Sequence, residues 1–349
     1  MRAFAMLLGI AYHVSIAFIP DIGRWYPIAD RSPSDALRIF SDTLHSFRME
    51  LFFVLAGYFA HLLIERRGPQ SYLRDRLKRL GIPLLVVAPF VILCDWAFRT
   101  YLADQHALSP AFEPGDHFLL RPLYLWFLEY LLLFSLCAYV VINLIRLINR
   151  NIHLSARPFI FPEALLLLAG PTFAIRNFLQ EATPAFSFVP QVASVLHYGI
   201  FYTLGFILHA WPGSTAKFTR LRWFAPVGIV GLIAFFTREN RWSLNMYALQ
   251  ALLTWASVLG CLGFAFSIRT IAGRWLPFLV DASYWVYLAH YPLVLALHMA
   301  LSGIDMPALL KFSLDVLIIN FVCLLIFSRW VRTSFLAPWL GVRTAQVST

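Results

Sequence analysis

The chain is 349 residues long, 60% apolar or aromatic and only 13% charged, with a mean hydropathy of +0.70. Soluble globular proteins run near half apolar and a quarter charged, so this polar surface cannot cover a water-soluble body of 39.9 kDa. A soluble enzyme or binding module is excluded, and the excess apolar surface must face lipid. The net charge of +10 suits either nucleic acid or the cytoplasmic loops of a membrane protein, and its placement decides between them.

A spanning helix needs about 20 mostly apolar residues. In chain order such stretches lie near 2–20, 40–63, 80–99, 121–146, 160–176, 190–211, 223–238, 245–268, 275–302 and 308–330. The opening run could pass for a signal peptide, but His13 interrupts it and no small-x-small cleavage site follows. It reads as a first spanning helix. The expected fold is an all-α polytopic bundle of about ten transmembrane helices, with the fifth and seventh stretches short. No internal repeat, low-complexity tract or soluble domain is visible. Residues 1–335 read as one membrane domain and 336–349 as a short tail.

Ten spans put both termini on one side. With the N-terminus inside, Arg2, the segments 64–79, 146–159, 212–222 and 269–274 and the C-terminal stretch from Arg329 hold 18 Lys and Arg, against nine outside. That bias follows the positive-inside rule, so both termini are expected in the cytoplasm and no nucleic-acid partner is needed. Cys94, Cys137, Cys261 and Cys323 all fall in apolar stretches without CxxC or His spacing, so they read as small apolar residues and no metal site is expected. The outer segments 21–39 and 100–120 carry Trp25, Tyr26, Asp30, Asp35, Asp104, Glu113, Asp116 and His117. An interfacial aromatic belt with solvated loops is the simpler reading, a sugar-binding lining the sharper one.

A charge at the centre of a membrane helix costs about 2.5–3.5 kcal/mol on insertion scales, so intramembrane ionisable residues carry the most information. His13 lies eleven residues after Arg2, three turns plus about 20°, which puts both on one face about 16 Å apart. A neutral imidazole there serves either as a hydrogen-bonded structural group or as base, acid or nucleophile. In the second stretch His45 and Arg48 are i,i+3 neighbours, while Glu50 projects about 200° away from Arg48. Arg48 and Glu50 each need a partner on another helix, or a ligand. In the ninth, Ser283, Tyr287 and His290 share a face, and Pro292 removes a backbone hydrogen bond and bends the helix. Glu129 and His197-Tyr198 are weaker candidates.

These residues resemble the motifs of the acyltransferase type 3 family of bacterial inner-membrane proteins. Arg2 and His13 resemble its first-helix Arg-x10-His signature, Phe52–Tyr58 its FFxxSG[YF] element, and Ser283–His290 its SxxxYLxH element. Met6–His13, His45–Met49, Arg79–Pro83, Trp126–Leu128 and Asp281–Leu293 resemble the glucan biosynthesis protein C branch, which adds succinyl groups to periplasmic glucans. The motifs occur in order over essentially the whole chain. Three departures stand out. The family carries a few residues, one of them acidic, before the first-helix Arg, so a truncated or miscalled start is expected. Ala56 replaces the usual Ser, and Glu50 adds a charge where the branch is neutral.

The resemblance implies transfer of an acyl group from a cytoplasmic thioester, acyl-CoA (succinyl-CoA or acetyl-CoA), to a hydroxyl of a periplasmic glucan or other external glycan. No bound cofactor is expected. The catalytic assignment falls on His13, Arg48 and Glu50, and substrate binding on Arg2, His45, Tyr58, Trp126, Ser283, Tyr287 and His290. His13 acts either as base on the acceptor hydroxyl or as transient acyl carrier, and Arg48 holds the oxyanion or a dicarboxylate donor's free carboxylate. Arg66, Arg67, Arg74, Arg76, Lys78 and Arg79 form either a CoA-phosphate site or a plain positive-inside loop. A transporter or flippase of a glycan or lipid-linked substrate uses similar ingredients. The absence of inverted repeats and the ordered motifs favour the enzyme.

Overall fold

A computed structural model describes residues 2–22, 26–104, 121–148, 162–179, 187–210, 214–239, 243–268, 275–335, 337–340 and 342. Its α-helices are α1 (Arg2–Ser15), α2 (Asp35–Arg67), α3 (Pro69–Arg76), α4 (Ile82–Asp104), α5 (Trp126–Ile148) and α6 (Ala169–Phe178). They continue with α7 (Val192–Ala210), α8 (Ser214–Phe218), α9 (Phe224–Phe236), α10 (Leu244–Ser267), α11 (Leu276–Leu301) and α12 (Ala308–Ile326). No strand occurs among the described residues. The protein is an all-α polytopic membrane protein.

Eight of the ten expected stretches become helices long and apolar enough to cross a bilayer. The other two are shorter for local reasons. The first gives a 14-residue α1 and a 3₁₀ turn, Ile16–Phe18, because Pro20 follows and cannot continue a helix. The fifth is a 3₁₀ stretch, Pro162–Leu168, followed by the ten-residue α6. Gly170-Pro171 falls at the junction, where glycine is loose and proline is tolerated only in a first turn. Between α2 and α3, Gly68 adopts φ +78°, a left-handed conformation that glycine takes without steric cost, and Pro69 opens α3.

The chain forms two compact units. The first comprises residues 1–44, 82–125 and 271–349, the second 45–81 and 126–270. In the first, α1 packs on α11 and α12, and α4 on α11. Its core includes Val14, Phe18, Val286, Val294, Ile319 and Phe327. Residues 26–34 are sewn to both ends of that packing: Ser34 N–H donates to the Phe18 carbonyl at 2.8 Å, and Ser32 Oγ to that of Met306 at 2.9 Å. Lys311 of α12, 1% exposed, gives its ammonium to both Asp30 carboxylate oxygens at 3.0 and 2.9 Å and to the Ile304 carbonyl at 2.7 Å. Asp30 is thereby tied into a buried layer, and Tyr26 is buried as well. Trp25, Glu113, Asp116 and His117 lie outside the described residues, as does the Asp104 side chain.

In the second unit α10 is central, packed by α6, α8 and α9, while α7 meets α5 and α6. The backbones of α2 and α7 touch. A Cβ on Gly57 would stand 1.9 Å from the Tyr202 carbonyl oxygen, and one on Gly205 1.8 Å from that of Val54. Small residues at membrane-helix interfaces permit this approach.

Candidate active site

Within the first unit, His13 comes from α1 into an aromatic and imidazole cluster. Its ring centroid lies 5.1 Å from His290, 5.7 Å from Tyr291 and 6.3 Å from Tyr124. The sequence placed His13 and His290 in separate motifs, and the packing of α1 on α11 makes them neighbours. His290 is buried and oriented. Its Nδ1 stands 2.8 Å from the Tyr287 carbonyl oxygen and 3.1 Å from that of Val286. Carbonyls only accept, so Nδ1 carries the proton, and in the neutral ring Nε2 presents a lone pair.

Tyr124 went unnoticed in the sequence, and its role follows from Pro292. A proline at position 292 cannot donate to the Leu288 carbonyl one turn back. The Tyr124 hydroxyl donates to that carbonyl instead, at 2.5 Å, and the Tyr287 hydroxyl donates to the Tyr124 carbonyl at 2.9 Å. The turn holding Tyr124 is itself unusual: buried Leu123 has φ +50°, a conformation costing a non-glycine residue about 1–3 kcal/mol. Ser283 shares the face with Tyr287 and His290, but its hydroxyl donates to Val280 of its own helix at 2.6 Å.

A second polar group of this unit was also missed. Asp95 and Arg99, one turn apart on α4, pair through two hydrogen bonds of 2.7 and 3.3 Å and are both buried. The sequence signal was present, a carboxylate and a guanidinium at i,i+4 in an apolar run, but Arg99 was counted only as an outer charge. Burial, reinforced by the Asp95 carboxylate and opposed by Arg99, holds the Tyr26 hydroxyl above its ordinary value. Burial and then repulsion by Arg99 lower the Arg121 guanidinium, with Asp95 opposing. Two guanidiniums and one carboxylate leave the cluster net positive. Tyr291 joins it to the imidazoles, packing on His13 while its hydroxyl lies in the field of Asp95, Tyr26 and Arg99.

The second unit contains the α2 candidates. Arg48 and Glu50 are buried, whereas His45 is exposed. Of the two options the sequence left open for Glu50, a partner on another helix or a ligand, the structure shows a partner: His197 of α7 donates Nε2–H to its Oε1 at 3.0 Å. Trp126 lies within an aromatic group, 5.2 Å from Tyr198 and 6.3 Å from Phe53. Tyr58 sits further along α2, edge-on to His209 at 4.9 Å. Geometry therefore gathers His13, Tyr287 and His290 in one unit and Arg48, Glu50, Tyr58 and Trp126 in the other. The Arg2 side chain lies outside the described residues.

A family model described as an acyltransferase domain matches residues 1–333. This chain belongs to the acyltransferase type 3 family. Among curated relatives it is similar to the glucans biosynthesis protein C of Salmonella heidelberg, Salmonella typhi and Salmonella typhimurium. Each is 28% identical over 317 residues, 84% of this chain and 81% of the relative. No solved structure matches.

The basic cluster of this acyltransferase is less charged than its sequence suggests. Asp75 sits among the basic residues, accepting from Arg79 Nε at 2.9 Å and pairing with Arg76, whose guanidinium also lies over the Tyr72 ring. Arg66, Arg67, Arg74 and Lys78 remain exposed.

Proposed function

We propose that this acyltransferase moves an acyl group from cytoplasmic acyl-CoA to a hydroxyl of a periplasmic glucan or another extracytoplasmic glycan, with succinyl favoured over acetyl. It would work in the inner membrane with both termini in the cytoplasm and residues 1–335 as one catalytic domain. The observation that carries the reading is the imidazole pair of His13 and the oriented His290, enclosed by Tyr124 and Tyr291, in a chain of this family. A general base and a neighbouring ring with a fixed tautomer suit deprotonation of a sugar hydroxyl.

In the direct route His13 takes the proton of the acceptor hydroxyl as its oxygen attacks the thioester carbonyl. The C–S bond breaks and the departing CoA sulfur receives that proton. In the two-step route a nitrogen of His13 attacks the thioester carbonyl, the C–S bond breaks and the CoA sulfur takes the ring's N–H proton; the sugar oxygen then displaces the imidazole and its proton returns to the ring. Arg48 is assigned to the donor, since a succinyl group ends in a carboxylate that a guanidinium holds bidentately. Glu50, through His197, is assigned to holding α2 in place. The exposed Arg66 and Arg67 at the end of α2 and Arg74 in α3 are assigned to the CoA phosphates.

Purified protein given radiolabelled succinyl-CoA and a glucan tests this reading. Label bound covalently to the sugar, with succinyl-CoA preferred to acetyl-CoA, is expected. Movement of glucan across vesicles without label on it would instead identify a transporter. Sequential kinetics would select the direct route, and exchange of label between CoA pools without acceptor the acyl-imidazole.

A further inference from the structure

One cluster lies outside the chemistry above. His61 and Glu65 occupy one face of α2 at i,i+4, and His209 stands opposite them at the end of α7. The Nδ1 atoms of the two imidazoles are 2.8 Å apart, and a Glu65 carboxylate oxygen is 3.6 Å from His209 Nδ1. All three ligand atoms fall within 4.8 Å of one another.

At 2.8 Å the two Nδ1 atoms are at hydrogen-bond distance, one ring's proton lying between them and the other ring's lone pair accepting it. A cation that displaces that proton would meet both lone pairs and, in the Glu65 carboxylate beside them, compensating negative charge. A tetrahedral zinc ion with bonds of about 2.0–2.1 Å holds its ligand atoms about 3.4 Å apart, close to the 3.6 Å between Glu65 and His209 and about 0.6 Å wider than the imidazole pair, which opens to admit the ion. The ligands are also preorganised. One turn earlier the α2 and α7 backbones touch at Gly57 and Gly205, so the two helices meet the site at fixed separation. His61 is 5% exposed, whereas the Glu65 side chain is 63% exposed, giving an ion a route from water. No sequence spacing could reveal the set, since His209 lies 148 residues from His61.

We propose that His61, Glu65 and His209 bind one divalent transition-metal ion of the zinc type, which staples the end of α2 to the end of α7. Two imidazoles and one carboxylate match zinc's preferred donors and leave a fourth position to water. The test uses full-length protein purified without a histidine tag, stripped with chelator and titrated with zinc and, separately, cobalt. One ion per chain is expected, with the visible absorption of tetrahedral cobalt and a raised unfolding temperature. His209→Ala should abolish binding. Glu65→Gln, at an exposed position that folding does not depend on, should weaken it about tenfold or more. Loss or weakening in either variant supports the site. Absence of a stoichiometric ion in the wild type, or equal affinity in the wild type and both variants, overturns it in favour of a simple His–His hydrogen bond. Neither result depends on acyl transfer.

Discussion

His13 and His290 are neighbours set in different surroundings. His290 has its tautomer set by the carbonyls of its own helix, while His13 is positioned by the rings around it. If His13 is the proton acceptor, His13→Ala should lower acyl transfer by about 10²–10⁴-fold, the usual contribution of a general base. Protein yield and unfolding temperature should stay near wild type, because the residue is only partly buried. Transfer at the wild-type rate would remove the assignment. Both histidines were legible in the sequence as polar groups in apolar helices. Tyr124 was not, because its importance comes from a carbonyl 164 residues away, and nothing near position 124 announces it. Glu50 was legible as a group needing a partner on another helix, though spacing alone could not name His197.

Helices pair here in two physically distinct ways, by close backbone contact and by buried charge. At the α2–α7 contact, Gly57→Ala puts a methyl group where the Tyr202 carbonyl already sits, and the helices must separate. A loss of about 1–3 kcal/mol is expected, read as a lower unfolding temperature in detergent. The pairing of α12 with residues 26–34 rests on Lys311 and Asp30. Lys311→Met alone strands a buried carboxylate and should cost about 3–5 kcal/mol. The double variant with Asp30→Asn should recover most of that loss, because no unpaired charge remains. Failure to recover would show that the Ile304 carbonyl, the ammonium's third partner, carries the interaction. Hydropathy found the long helices because bilayer thickness fixes their length. It overestimated the first and fifth, where Pro20 and Gly170-Pro171 interrupt helices that composition alone would have continued.

For the whole molecule, the proposed topology places the α11–α12 turn outside and the segment after α8 inside. In a protein cleared of its own cysteines, an impermeant thiol reagent applied to spheroplasts should label Gly303→Cys and spare Arg220→Cys until the membrane is opened. A side chain at 303 meets nothing within 4 Å, and Arg220 is exposed. The reverse pattern would invert the orientation. Overall stability and activity should also pull against each other at one position. Proline within a helix costs about 3 kcal/mol, so Pro292→Ala should make the protein more resistant to heat. The restored amide would compete with the Tyr124 hydroxyl for the Leu288 carbonyl, and the hardened protein should transfer acyl groups more slowly. Selection for thermal tolerance alone would erode this residue first, and the weakness it leaves in α11 is the anchorage of a tyrosine beside the paired imidazoles of His13 and His290.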